Sequence, residues 1–148
     1  MYTDGAATGN PGPGGFGVVL MSGPHRKEIA GGFRLTTNNR MELLAVIVGL
    51  EALNQKDNNV IIYSDSRYVV DSVEKRWVDG WVKKGFAGKK NPDLWIRYLK
   101  AANGQNIKFV WVKGHANIKE NERCDVLATT AAGSKNLGVD EYYEKNAN

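Results

Sequence analysis

The hydrophobic and polar positions of the chain alternate between strand-like and helix-like periods. Strands are predicted at residues 1–4, 16–21, 27–33, 60–63 and 107–113. Helices are predicted at residues 41–53, 67–76, 92–102 and 120–132, with a further short helix in the basic segment described below. Since the strands come first and the helices are interleaved later, the pattern predicts one α/β unit.

Turn and cap residues divide this pattern. The glycine- and proline-rich run 9–15 predicts a turn, and Ser22-Gly23-Pro24 predicts a hairpin connection. Helix caps are available at residues 36–38 and at Ser66. Beyond Gly133 the periodicity fades, so we expect a folded domain over residues 1–133 and a polar tail over 134–148.

Composition limits the class of protein and its chemistry. With 148 residues, of which 42% are hydrophobic and 24% charged, the chain has the balance of a soluble globular domain, and its longest apolar run, 43–50, is too short to span a membrane. The single Cys124 and the absence of a leader-like start at Met1 indicate a reducing, cytoplasmic location. Two histidines and one cysteine cannot build a Cys/His-rich zinc site, so a catalytic metal would be Mg²⁺ or Mn²⁺ held by carboxylates.

One short stretch carries the positive charge. Residues 75–90, called the basic segment, hold six cations and one anion, so the remainder of this chain of net charge +4 sums to −1. Trp77, Trp81 and Phe86 are interleaved with those cations. Cations mixed with aromatic rings favour binding to a nucleic-acid backbone, although a solvated helix face with inward-turned aromatics would give a similar pattern.

Four acidic residues occupy unusual positions. Asp4 and Asp65 follow predicted strands, at the end where α/β sheets commonly place their sites, and Glu42 and Asp125 lie among apolar residues. An unpaired carboxylate in such surroundings costs several kcal/mol. Each also has a structural explanation: a turn at Asp4, a helix cap at Asp65, helix-dipole stabilisation of Glu42 and an ion pair for Asp125. Spacing alone does not bring the four together.

Five strings of the sequence resemble the type 1 ribonucleases H, in the family's order and with similar intervals. They are Thr3-Asp4-Gly5 with the run 9–15, the string 36–43 (TTNNRMEL), Ser64-Asp65-Ser66, the string 111–115 (WVKGH) and the string 121–125 (NERCD). The resemblance spans roughly residues 1–133. A single string would be weak, but five in order are highly specific.

The resemblance implies a fold, a reaction and a site. The fold is a ribonuclease H-like α/β domain, a five-stranded mixed sheet flanked by helices with a basic protrusion over residues 75–90. The reaction is endonucleolytic cleavage of the RNA strand of an RNA–DNA hybrid, leaving 5′-phosphate and 3′-hydroxyl ends. Asp4, Glu42, Asp65 and Asp125 would surround two Mg²⁺ ions, with Mn²⁺ as a possible substitute, and cations would offset the repulsion between these carboxylates. His115 would assist proton transfer or product release from a mobile loop.

The resemblance also implies how substrate is held. Asn10, Asn38 and Asn39 match hybrid-contacting positions, and the backbone of residues 5–7 would approach ribose 2′-hydroxyls. The protrusion would bind the DNA strand through Trp77, Trp81, Lys83, Lys84 and Phe86, with part of the tryptophan bulk, Trp77 in particular, packing the protrusion onto the domain. Arg67 departs from the family pattern, because a polar uncharged residue is common there, and Phe86 replaces a common tryptophan.

Two other functions compete with a monomeric ribonuclease H. A hybrid-binding module of the same fold would lack useful catalysis, but it should have lost at least one of the four acids or His115. A junction resolvase of the same superfamily would not be expected to carry the Lys113-Gly114-His115 string and the basic segment.

Overall fold

The chain forms five strands and six helices within residues 1–114 and 117–146, which are the residues that the computed structural model describes. The strands are β1 (Tyr2–Ala7), β2 (Gly12–Ser22), β3 (His25–Thr36), β4 (Asn59–Ser64) and β5 (Asn106–Trp111). The helices are α1 (Asn38–Glu51), α2 (Arg67–Glu74), α3 (Trp77–Lys83), α4 (Pro92–Ala102), α5 (Lys119–Ala132) and α6 (Glu141–Asn146). In this described part, no helix is both long and apolar enough to cross a membrane.

The strands form one mixed sheet in the order β3-β2-β1-β4-β5. β1, β2 and β3 pair antiparallel, whereas β4 pairs parallel with both β1 and β5. The register places Tyr2 beside Tyr63 and Ser64 beside Trp111. The carboxyl ends of the three parallel strands therefore meet at one edge of the sheet, where α/β proteins commonly place their functional residues.

Helices cover the two faces of the sheet unequally. α1 packs on β1 and β2 and also contacts α4, so it lies at the centre of the core. Its residues from Leu43 to Ile47 are all buried, and Trp95 of α4 is fully buried beside it. A helix that is apolar on all sides is stable only in such a buried position. α5 covers β1, β2 and β3 on the opposite face.

The glycine-rich run is more ordered than its composition predicts. A turn was expected over residues 9–15, but β2 already begins at Gly12, and β1 extends to Ala7 instead of ending at residue 4. A side chain at Gly15 or Gly17 would overlap the backbone of α5. These glycines therefore allow a close approach between helix and sheet, which is a packing role that a turn signal does not distinguish.

The polar segment after Gly133 also contains structure that its pattern does not predict. Gly138 bridges Phe33 of β3, and the helix α6 follows. Asp140 is buried and accepts a hydrogen bond of 2.7 Å from Nε of Arg40 in α1. An ion pair between distant parts of the chain, rather than apolar periodicity, fixes this segment to the domain.

Candidate active site

Three of the predicted acids meet at the edge of the sheet. Asp4 lies in β1, Asp65 directly follows β4, and Glu42 lies early in α1. One ligand oxygen from each carboxylate lies within 4.8 Å of those from the other two. The parallel pairing of β1 with β4 brings the two aspartates together, and α1 brings Glu42 to them across the sheet edge.

Gly5 makes this approach possible. Its backbone N–H donates to Asp4 Oδ1 at 2.9 Å and to Glu42 Oε1 at 2.6 Å. A Cβ at this position would overlap the backbone of Met41 and Glu42, so only glycine allows α1 to reach β1 here. The first turn of α1 is fixed in turn by Thr37, whose side chain accepts a hydrogen bond from Arg40 N, as the predicted cap requires.

Burial and mutual repulsion shift the acid–base equilibria of the cluster. Burial, with the Asp65 charge as the next cause, raises the pKa of Asp4 to about 7. Burial, followed by the charges of Asp4 and Asp65, raises the pKa of Glu42 well above its usual range. Desolvation and like charges both disfavour the ionised form, so a metal-free cluster retains protons at neutral pH.

The cluster fits a divalent cation. Asp65 Oδ1 is buried without a hydrogen-bond partner in the described chain. Among the described residues, no lysine or arginine forms an ion pair with Asp4, Glu42 or Asp65. Several converging carboxylate oxygens that lack a cationic partner are the ligand set that hard cations prefer. The three acids can therefore hold a metal ion.

The other two predicted catalytic residues are Asp125 and His115. Asp125 is partly buried in α5, and its charge contributes to the raised pKa of Asp4. Its carboxylate is not part of the cluster found among the described residues. His115 lies outside the described residues. A metal-ligand role for Asp125 and a catalytic role for His115 stay predictions.

The raised pKa values predict how stability depends on pH without metal. Between about pH 4 and pH 7 the folded state binds more protons at Asp4 and Glu42 than the unfolded chain, so the free energy of unfolding should fall as the pH rises through this window. Cations bind the deprotonated form, so Mg²⁺ should stabilise the protein more at about pH 8 than at about pH 5. Thermal unfolding in EDTA and in excess Mg²⁺ measures both effects. Asp4→Asn should flatten the EDTA profile, and an unchanged profile would contradict the assignment.

The predicted substrate asparagines lie at the start of α1, the helix that carries Glu42. Asn38 Oδ1 accepts from Ala7 N at 2.6 Å, and Asn10 Oδ1 accepts from Asn38 N at 3.2 Å. Asn10 and Asn39 line a groove of about 460 Å³ together with Lys89 and other residues at the end of the basic segment. Asn39 precedes Glu42 by one turn of α1, so the groove that holds Asn39 and Lys89 begins at the helix that carries Glu42.

The basic segment forms a second groove. It consists of α3 and the turns around it, in which Arg76 and Phe86 have positive φ values of 59° and 61°. A groove of about 640 Å³ is lined by Arg76, Trp77, Gly80, Trp81, Lys84 and Lys89. The Lys89 ammonium lies 5.5 Å from the Trp81 ring centroid. Cations and aromatic rings thus line the same concave surface.

The aromatic residues that pack the basic segment onto the domain are not the ones we expected. Trp77 was expected to help pack the protrusion onto the domain, yet it is 46% exposed. Trp81 packs edge-on against Trp95, with 5.8 Å between centroids, and Phe86 also packs against the core. Trp81 and Phe86 therefore attach the basic segment to the domain, and Trp77 stays about half exposed, with the Lys75 ammonium 5.5 Å from its ring centroid.

Lys89, one of the cations predicted to bind nucleic acid, lines both grooves. One residue next to the site was missed by sequence reasoning. Arg40 is buried beside Asp93 and Asp140 and holds the start of α1. An arginine at the beginning of an apolar helix was the signal in that case.

Comparison with known proteins agrees with this arrangement. A model of the RNase H family matches residues 1–133. Ribonuclease H of Syntrophus aciditrophicus (strain SB) is 57% identical, with 97% of this chain and 85% of that protein covered. The crystal structure of LC9-RNase H1, a type 1 RNase H with the type 2 active-site motif, matches with a TM-score of 0.78 at 34% identity, covering 99% of this chain and 79% of that one. LC11-RNase H1 in complex with an RNA/DNA hybrid matches with a TM-score of 0.66 at 28% identity, covering 89% of this chain and 94% of that one.

These findings, with the mixed sheet and the acidic cluster at its edge, define the class as nucleases of the RNase H-like fold. The chain belongs to the ribonuclease H family. The predicted family, the predicted five-stranded fold and the predicted enzyme class are confirmed.

Proposed function

We propose that the protein hydrolyses the RNA strand of RNA–DNA hybrids, leaving 5′-phosphate and 3′-hydroxyl ends. The observation that carries the proposal is the convergence of Asp4, Glu42 and Asp65 at the edge of the sheet where the parallel strands end. The relative LC11-RNase H1, which binds an RNA/DNA hybrid, supports the choice of substrate.

The metal site would comprise Asp4, Glu42 and Asp65, with Asp125 completing it from α5. Their oxygen ligands suit Mg²⁺, with Mn²⁺ as a substitute. Two such ions, when bound, would activate a water molecule and stabilise the leaving oxygen in an in-line displacement at phosphorus. The protein's own contribution is to hold these carboxylates together, with Gly5 N–H donating to two of them.

The asparagines would recognise the hybrid through their remaining donors. The Oδ1 atoms of Asn10 and Asn38 accept backbone N–H groups, and their Nδ2 groups have no partner within the described residues. The Gly5 and Ala7 N–H groups are also engaged within the protein. The side-chain amides of Asn10, Asn38 and Asn39 are therefore better placed than these N–H groups to donate to ribose or phosphate oxygens.

The basic segment would bind the DNA strand. Trp77, Trp81 and Lys84 line its groove, and Lys83 is exposed on the same helix. Phe86, packed against the core, would support this surface rather than reach the substrate. Lysines would pair with phosphates, and the exposed Trp77 ring would pack on sugars.

Removing charge from the basic segment tests this assignment. Replacing Lys83, Lys84, Lys89 and Lys90 with glutamine should raise KM for the hybrid and leave kcat nearly unchanged. For each phosphate that a lysine no longer neutralises, the slope of log Kobs against log[salt] should also become shallower by about 0.9. Binding measured over a series of salt concentrations provides the slope. An unchanged slope would reassign the segment to a structural role.

A strand-labelled assay tests the proposed function as a whole. RNA–DNA hybrid, duplex RNA, duplex DNA and a four-way DNA junction are incubated with the protein, with and without EDTA. Only the RNA strand of the hybrid should be cut, and EDTA should abolish cutting. Binding to the hybrid without metal-dependent cleavage would identify a binding module instead, and cleavage of the junction would identify a resolvase.

The remaining parts of the proposal are a role for His115 in proton transfer or product release, a monomeric state and a cytoplasmic location. The single Cys124, buried in α5, supports a reducing compartment.

A further inference from the structure

Trp111 contacts the backbone of a proposed metal ligand. It is the last residue of β5 and lies in parallel register with Ser64, the last residue of β4. Its indole Nε1–H donates to the backbone carbonyl oxygen of Asp65 at 3.1 Å. Val112 N also donates to Ser64 O at 2.9 Å, so the hydrogen bond from Trp111 extends the β4–β5 pairing by one residue.

The guanidinium of Arg67 packs on the ring of Trp111. Arg67 is the first residue of α2, and its guanidinium carbon lies 3.8 Å from the centroid of the Trp111 ring. Within the described chain, Arg67 forms no ion pair with any carboxylate. The cation–π contact with Trp111 is therefore its principal attachment, and it restrains an indole that is otherwise 37% exposed.

The Asp65 carboxylate depends on such backbone contacts. Asp65 belongs to neither β4 nor α2, and its Oδ1 has no hydrogen-bond partner in the described part of the chain. On the following residue, Ser66 N donates to Ser64 Oγ at 3.1 Å. The carboxylate is thus positioned by its main chain, with Trp111 fixing the carbonyl and Ser64 fixing the next N–H group.

We propose that Trp111 is a positioning residue for Asp65 and that Arg67 holds the Trp111 indole in place. This inference rests on the proposed function, in which Asp65 is a cation ligand. Contacts outside the ligand shell commonly set metal affinity because they fix the orientation of the ligands. Arg67, which departs from the family pattern, thereby acquires a role that does not require contact with substrate.

The test is Trp111→Phe, which keeps an aromatic ring for Arg67 and removes the N–H donor. Mn²⁺ is titrated into the full-length protein without nucleic acid, and binding is followed by calorimetry and by water-proton relaxation. We expect Trp111→Phe to bind Mn²⁺ about tenfold more weakly than the wild-type protein. Arg67→Ala should weaken binding in the same direction by a smaller factor. KM for the hybrid should stay unchanged in both variants, and the Mg²⁺ concentration for half-maximal cleavage should rise.

Tyr63→Phe is the matched control, because it removes one aromatic hydrogen-bond donor from β4 without touching the Asp65 carbonyl. It should bind Mn²⁺ like the wild-type protein. Wild-type affinity in Trp111→Phe would overturn the inference. If that variant does not fold, as judged by urea unfolding, Arg67→Ala decides in the same way.

Two further outcomes separate this inference from the proposed function. If the wild-type protein binds no Mn²⁺, or Asp65→Asn binds it equally well, the proposed metal site is wrong. If those two proteins behave as expected but Arg67→Ala raises KM for the hybrid with unchanged Mn²⁺ affinity, Arg67 is a substrate contact, and the positioning role assigned to it is wrong.

Discussion

Asp65→Asn is expected to lower the rate of hybrid cleavage by about a thousandfold or more. The substitution removes one of three converging carboxylates, and losing a metal ligand forfeits several kcal/mol of transition-state stabilisation. Affinity for the hybrid should stay close to that of the wild-type protein, because the basic segment and the asparagines are unchanged. Single-turnover cleavage and equilibrium binding of a labelled hybrid measure the two quantities separately.

Asp57→Asn is the matched control for this experiment. Asp57 is exposed, lies outside the cluster and has a positive φ of 63°, which asparagine tolerates well. This variant should cleave like the wild-type protein, which excludes a general effect of removing one negative charge. Appreciable cleavage by Asp65→Asn would show that Asp65 is not required as a metal ligand.

Arg40→Met is expected to lower the free energy of unfolding by about 3–5 kcal/mol. Arg40 is 2% exposed and donates to both Asp93 and Asp140, at 2.7 Å for the shortest contact to each. Asp140 also accepts from Thr36 Oγ1 at 2.8 Å, so the arginine joins β3, α1, α4 and the C-terminal segment. Without the guanidinium, the carboxylates of Asp93 and Asp140 repel each other and have no cation to neutralise them. Urea unfolding measures the loss.

Arg34→Met is the matched control, because it also removes an arginine paired with the C-terminal segment. The Arg34 side chain is 60% exposed, and its bidentate pair with Glu144 is screened by water. Its loss should therefore lower the free energy of unfolding far less than the loss of Arg40. If both variants lost a similar free energy of unfolding, the burial of Arg40 would not make its ion pairs more stabilising than an exposed pair.

Much of the fold could be predicted from periodicity because most elements have one consistent hydrophobic face. The strand at residues 60–63 and the helix at residues 92–102 were found within one residue of their observed ends. The glycines of β2 could not be interpreted correctly, because their role depends on α5, more than 100 residues away in sequence. The position of the segment after Gly133 depends on the ion pair between Arg40 and Asp140, which leaves no periodic pattern.

In the site, too, single residues could be predicted from the sequence, whereas their arrangement in space could not. Asp4, Glu42 and Asp65 could each be singled out as a carboxylate in an unusual position. Their convergence depends on the parallel pairing of β1 with β4 and on the space at Gly5, which single-sequence spacing does not encode. The resemblance to the family supplied that information. The resemblance did not predict the contact between Arg67 and Trp111, because Arg67 departs from the family pattern.

The most direct test of the account is a crystal structure of the protein with bound heteroduplex and Mn²⁺, with anomalous scattering used to locate the ions. We expect anomalous peaks within coordinating distance of carboxylate oxygens from Asp4, Glu42 and Asp65, next to a phosphate of the RNA strand. A heteroduplex bound in the grooves without Mn²⁺ between these three carboxylates would contradict it.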